Sequence, residues 1–180
     1  MQHVMLDLET LGTKPGCVIR SIGGLFFDPH SDAVGEHFYV NVCRESCVTA
    51  GLVVDPDTEA WWKKQSQTAQ DAFLVDVKPL KTAITEFTNF VRKGGDVRVW
   101  SQGANFDTVL IDACYAAVQV FVPWRFYNTR DTRTIYDMAG LDTRNIRREG
   151  THHNALDDCR FQAKCVQQGL RMIKSKVSAC

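Results

Sequence analysis

Two acids stand inside an apolar run near the N-terminus, Met5-Leu6-Asp7-Leu8-Glu9-Thr10. The run reads as a strand, and side chains alternate faces along a strand. Val4, Leu6 and Leu8 therefore point one way, and Met5, Asp7 and Glu9 the other. Two carboxylates side by side on one face of a sheet repel each other and lose hydration. A chain tolerates this when a cation lies between them, because uncompensated buried charge is costly. Hard oxygen donors suit magnesium or manganese. The first ten residues thus point to a divalent metal site.

Two further acids stand at element boundaries. Asp107 closes the stretch Ser101-Gln102-Gly103-Ala104-Asn105-Phe106-Asp107, where a strand ends, a glycine turn follows and a helix begins. That position projects a carboxylate into the crevice at the carboxyl ends of the strands, where open α/β sheets bind ligands. Asp158 lies in the first turn of a C-terminal helix, and His153 precedes it by five residues on the incoming loop. Taken singly, these residues have ordinary explanations. Asp107 suits a helix cap, Asp158 a charge favoured by the helix dipole, and His153 a surface position.

Together with Asp7 and Glu9 they form the set that phosphodiester hydrolysis needs. A phosphodiester is anionic and repels hydroxide. Two divalent ions about 4 Å apart screen it, orient a water in line and stabilise the leaving oxygen. Carboxylates hold such ions and leave coordination positions open. A histidine titrates near working pH and takes the proton of the attacking water. His152 is the alternative base, since five residues on from it stands Asp157.

The three motifs resemble, in order, those of the DEDDh-type 3'→5' exonucleases, the superfamily of proofreading exonucleases, oligoribonuclease and RNase T. Asp7 and Glu9 match its Asp-x-Glu-Thr motif. Asp107 matches the Phe-Asp that follows a small-residue turn. His153 and Asp158 match His-x4-Asp, with Asn154-Ala155-Leu156 in the family's usual intervening positions. Arg130 to Ile135 (Arg-Asp-Thr-Arg-Thr-Ile) is similar to phage and bacterial members of exonuclease A-like and exoribonuclease-like type.

The resemblance implies an α/β RNase H-like fold, a five-stranded mixed sheet flanked by helices, and one exonuclease domain over residues 1–180. It implies removal of nucleotides from the 3' end of single-stranded nucleic acid, RNA before DNA, with release of nucleoside 5'-monophosphates. Asp7, Glu9, Asp107 and Asp158 are implied to hold two Mg2+ or Mn2+ ions, with Asp7 as the bridge and His153 as general base. Thr10 and Leu11 are implied to border the terminal nucleotide. Trp61 and Trp62 are adjacent, so on a helix they cannot both face the core, and one is a candidate platform for a base. Phe106 stands where it either stacks on substrate or packs. Gln102 and Asn105 are placed to reach sugar or phosphate. A non-catalytic binding module of this kind would have lost a ligand or the base, and this chain has lost neither.

The elements that must position these residues are legible in outline. Residues 3–9, 18–27 and 34–42 read as an antiparallel meander. Gly23 and Gly24 in its second strand mark a bulge or a close backbone approach. Asp57 or Thr58 caps a helix carrying the two tryptophans. Pro79 opens another, with apolar residues at helical spacing up to Gly94-Gly95. A strand over 97–100, a helix over 106–118, a strand over 125–127, and helices over 132–139 and 155–174 follow. A hairpin unit followed by alternating helices and strands gives a mixed sheet with helices on its faces.

Composition narrows the function class. The 180 residues are 44 % hydrophobic and 23 % charged, enough for one well-buried core. No apolar run approaches the roughly 20 residues that span a bilayer. An apolar start interrupted by Asp7 and Glu9 does not read as a signal peptide, so a cytoplasmic location away from membranes is expected. Seven cysteines, an odd number without a CxxC pair, read as reduced thiols. Zero net charge argues against coating long duplexes and is compatible with gripping a few nucleotides at a chain end. Arg125, Arg130, Arg133, Arg144, Arg147 and Arg148 outnumber Asp131, Asp137 and Asp142 in their stretch, a basic rim suited to phosphate. The segment from Cys43 to Thr58 is a candidate homodimer surface.

Overall fold

A computed structural model describes residues 1–178, and Cys180 lies outside the described residues. Six strands form one sheet: β1 (His3–Thr10), β2 (Ile19–Phe27), β3 (Val34–Val42), β4 (Val77–Lys78), β5 (Arg98–Ser101) and β6 (Thr129–Asp131). Their order is β4-β3-β2-β1-β5-β6. The β1-β2-β3 meander is antiparallel, while β4, β5 and β6 each run parallel to their neighbours. The helices are α1 (Arg44–Thr49), α2 (Pro56–Trp62), α3 (Gln67–Asp71), α4 (Leu80–Arg92), α5 (Asp107–Ala117), α6 (Thr132–Ala139) and α7 (Ala155–Ser178).

Alternation along β1 divides the interior in two. Val4, Leu6 and Leu8 enter the larger core with Ile84 and Phe87 of α4 and Ile111 of α5. Met5 enters a smaller core with Cys159, Ala163 and Val166 of α7. Asp7 and Glu9 therefore share the face that α7 crosses.

The sheet has six strands rather than the five expected. The extra pair, Val77–Lys78, lies against Asn41 and Val42. Two residues wedged between Asp76, at φ 47°, and Pro79 carry no readable alternation. The last strand is Thr129–Asp131, not 125–127. The aromatic stretch there forms a 3-10 turn over Phe126–Asn128, and pairing begins only at Thr129 opposite Val99. The α2 cap is Asp55, two residues earlier than expected; its carboxylate accepts from the Asp57 N–H at 3.0 Å and from the Thr58 hydroxyl at 3.0 Å. Pro56 then fills the first helical position, where its missing N–H costs nothing. The long helix α7 runs four residues past the expected Lys174. The described cysteines are free.

Gly23 is a close-approach residue. It lies opposite Asp7 in the β1–β2 register, and a Cβ there would meet the Ala155 carbonyl oxygen at 2.3 Å. Only the absence of a side chain lets the start of α7 lie on β2, which carries Asp158 toward Asp7. Backbone cannot yield as a flexible side chain does. Gly23→Ala is therefore expected to lower unfolding free energy by about 1–3 kcal/mol, the usual cost of overpacking, measured by denaturant melts. An unchanged midpoint would show that α7 has slack at this point.

Candidate active site

All four acids line one cleft of about 680 Å³. Strand β1 supplies Asp7 and Glu9. Asp107 is the first residue of α5 and is 3 % exposed. Its Oδ1 accepts from the Leu8 backbone N–H at 3.2 Å. Pairing of β1 with β5 stops at Met5, so this N–H takes a carboxylate where a strand partner is missing. Asp158 stands in the first turn of α7, whose start is capped by the Asn154 side chain, accepting from the Leu156 and Asp157 N–H groups at 3.2 Å. One turn further on, Gln162 donates from Nε2 to Asp7 Oδ1 at 2.7 Å.

Ligand atoms of Glu9, His153 and Asp158 all lie within 4.8 Å of one another. Asp7 and Asp107 line the same cleft outside that triplet. His152 lines the cleft as well but is exposed. Asp157 is engaged elsewhere, accepting from the Thr151 N–H at 2.9 Å and from Arg160 at 2.9 Å. The geometry thus gathers His153 and Asp158, not His152 and Asp157.

The electrostatics are those of like charges crowded out of water. Burial raises the Glu9 carboxyl to about 8, with Asp107 adding to the rise and Arg148 opposing it. Burial lifts Asp107 to about 7, against the Leu8 N–H, which favours its charged form. Asp7 is pushed well above the carboxylate range, first by burial and then by Asp107 and Glu9. Asp7, Glu9 and Asp107, three hard-oxygen donors whose charges are this poorly compensated, fit divalent cations. His153 moves the other way. Burial, followed by His152 and Arg148, lowers its pKa below 6.5, which keeps the imidazole neutral at working pH.

These shifts fix a pH dependence for the ion-free protein. Glu9 and Asp107 hold their protons more tightly folded than unfolded. Their contribution is fully present below the ordinary carboxylate values of 4.5 and 3.8 and is lost as pH rises through about 8 and about 7. The thermal midpoint of chelator-treated protein is expected to fall across that window, and Mn2+ added at its alkaline end to restore it. A midpoint that rises over the same window would contradict the assigned repulsion.

A second cavity of about 530 Å³ adjoins the cleft through Leu8, Glu9, Thr13 and Phe106. Thr10, Trp61 and Trp62 also line it. Trp62 is 6 % exposed, and its Nε1 donates to the Thr10 carbonyl at 2.8 Å, whereas Trp61 is 42 % exposed. Both rings meet His153 edge-on, at 4.9 Å from Trp61 and 5.8 Å from Trp62. Leu11 is not brought to the site: it is buried in the larger core and lines neither cavity. At the end of β1 its side chain returns to the apolar face of Leu8. Gln102 and Asn105 line the acid cleft. Gln162 escaped sequence reasoning. Its only signal is a polar residue on the inward face of α7, one turn beyond Asp158.

Residues 2–170 match the family model described as the 3'-5' exoribonuclease Rv2179c-like domain. The chain belongs to this family. This exoribonuclease-family chain is thus a 3'→5' exonuclease domain, with the acids of the three motifs gathered in one cleft. No curated protein matches it in sequence. Among solved structures it is similar to the nuclease domain of 3'hExo, a DEDDh family member bound to rAMP, at 13 % identity and TM-score 0.59, over 94 % of this chain and 91 % of that one. It is similar to cell-death related nuclease 4 (CRN-4) at 12 % identity and TM-score 0.59, over 94 % of this chain and 64 % of that one. Pop2p of S. pombe, in a Mg2+- and Mn2+-bound form, is similar at 14 % identity and TM-score 0.54, over 93 % of this chain and 82 % of that one. The exoribonuclease-family chain therefore spans under two thirds of CRN-4 and nearly all of the 3'hExo domain. At these identities the likeness establishes the RNase H-like exonuclease fold. Among the described residues, no helix is long and apolar enough to cross a membrane.

Proposed function

We propose that this domain removes nucleotides one at a time from the 3' end of single-stranded RNA and releases nucleoside 5'-monophosphates, with two divalent cations held by Asp7, Glu9, Asp107 and Asp158. The observation that carries the reading is the convergence of four acids and His153 on one cleft that opens into an aromatic-lined cavity. The rAMP, Mg2+ and Mn2+ in similar structures and the exoribonuclease family support it. The cations would neutralise the phosphodiester and lower the pKa of a water, as metal ions do in such sites.

The chain's own residues do the rest. Neutral His153 accepts the water proton on a ring nitrogen. Its backbone sits at φ 61°, a left-handed conformation that costs on the order of 1–3 kcal/mol, and the edge contacts with Trp61 and Trp62 hold the ring over the acids. Gln162 fixes the rotation of the Asp7 carboxylate. Thr10, Trp61 and Phe106 receive the terminal nucleoside, with Trp61 offering a half-exposed face for stacking. Leu11 serves only as packing beneath that wall.

The test is to incubate end-labelled RNA and DNA, single-stranded and duplex, with the chain and Mn2+. Single-stranded RNA is expected to shorten stepwise from its 3' end, faster than DNA or duplex. Shortening from the 5' end, or internal cuts, would overturn the proposal.

A further inference from the structure

Arg148 is a cation already lodged among the acids. It sits on the loop that leads from the 3-10 turn Thr143–Asn145 to α7 and lines the acid cleft. Its guanidinium pairs with Asp158, and the two side chains are only 19 % and 13 % exposed. The guanidinium carbon lies 4.9 Å from the centre of the Phe161 ring. Its charge also reaches Asp7 and Glu9. Arg148 Nε and Nη2 are both buried without a hydrogen-bond partner, so Asp158 holds the guanidinium by charge and its donor fork is left unused. Gly150, at φ 84°, stands two residues on, and Ile146, two residues before Arg148, packs the loop against the smaller core.

A divalent cation bound by Asp158 and a guanidinium paired with it compete for the same carboxylate. A cation entering there would repel Arg148 and free its planar donors. Those donors match the oxygens of a phosphate two at a time, and the group stays charged at any working pH. A nucleic-acid strand entering this cleft would bring its phosphates past Arg148. We infer that Arg148 is a phosphate-binding residue that the ion-free chain stores on Asp158, so that cation loading releases the side chain that grips the RNA backbone. The inference rests on the proposed metal-dependent reading.

A counter-ion that merely stabilises the fold would stay on Asp158, and two measurements separate the possibilities. The first is calorimetric titration of Mn2+ alone into the parent, Arg148→Gln and Arg148→Lys. Loss of the competing charge in Arg148→Gln is expected to tighten Mn2+ binding by about three- to tenfold, the range of a partly buried charge contact. Arg148→Lys, which keeps the charge, is expected to stay near the parent. The second is fluorescence polarisation of a short labelled single-stranded RNA with Mn2+, in a His153→Ala background so that the strand survives. Arg148→Gln is expected to weaken RNA binding about tenfold, with Arg148→Lys between it and the parent, because an ammonium lacks the fork. Unchanged or weaker Mn2+ affinity in folded Arg148→Gln, or parental RNA affinity in either variant, would overturn the inference. Should Arg148→Gln fail to fold, the RNA affinity of Arg148→Lys decides. A parent that binds no Mn2+ but is folded would sink the metal reading itself, and this inference with it.

Discussion

Asp7→Asn is expected to cut exonuclease turnover by at least about three orders of magnitude while raising the thermal midpoint of the ion-free protein. The amide keeps the shape of the carboxylate and an oxygen to accept from Gln162. It removes one of the charges proposed to hold the cations, and transition-state charge stabilisation of this kind contributes several kcal/mol. The same exchange relieves the repulsion that pushes Asp7, Glu9 and Asp107 above their ordinary values. Activity and stability should therefore move in opposite directions, which separates a functional acid from a structural one. Initial rates on labelled RNA and melts of chelator-treated protein at alkaline pH check both halves. A variant with the parental rate would remove Asp7 from the site, and one with a lower midpoint would mean that its charge is compensated in a way the cleft does not reveal.

His153→Ala is expected to slow turnover by about two to four orders of magnitude, the contribution of a well-placed general base. The fold should persist, because the His153 side chain belongs to neither core. The pH profile gives the sharper test. Burial, His152 and Arg148 lower the His153 pKa below 6.5. The parent is then active while the imidazole is neutral and loses rate as acid protonates it. The variant should lose that acid limb and keep whatever slope the cations impose. His152→Ala, at an exposed position outside the triplet with Glu9 and Asp158, should leave both rate and limb nearly intact. The reverse outcome for the two histidines would transfer the base to His152.

Legibility in the sequence followed the range of the forces involved. Strand β1 was readable because alternation is local: Leu6 and Leu8 alternate with Asp7 and Glu9, and the two cores divide on those residues. The helix beginning at Asp107 was readable from its glycine turn, although the bond from the Leu8 N–H that fixes the carboxylate joins residues remote in sequence. The choice of Asp158 over Asp157 came from the family pattern rather than from spacing, because adjacent acids in a first helical turn differ only in the way they face. Strand β4 was invisible because two residues have no period. The β6 boundary was misplaced because Phe126 and Tyr127 have strand-forming side chains yet are 88 % and 53 % exposed. Leu11 was set beside the substrate because it follows the acids in sequence, but it turns back to the core. Gln162 and Arg148 have no meaning until α7 and its preceding loop are laid over β1.

The edge contacts of Trp61 and Trp62 with His153 give the chain an optical label of its own. Indole emission depends on the groups packed against the ring and changes when the neutral imidazole moves away. Trp100 and Trp124 are buried elsewhere and supply a steady background. Rapid mixing with RNA, followed by tryptophan emission alone, will set changes at the His153 contact against the appearance of the first mononucleotide. Changes at this contact and bond cleavage can thereby be ordered in one experiment, without attaching a dye.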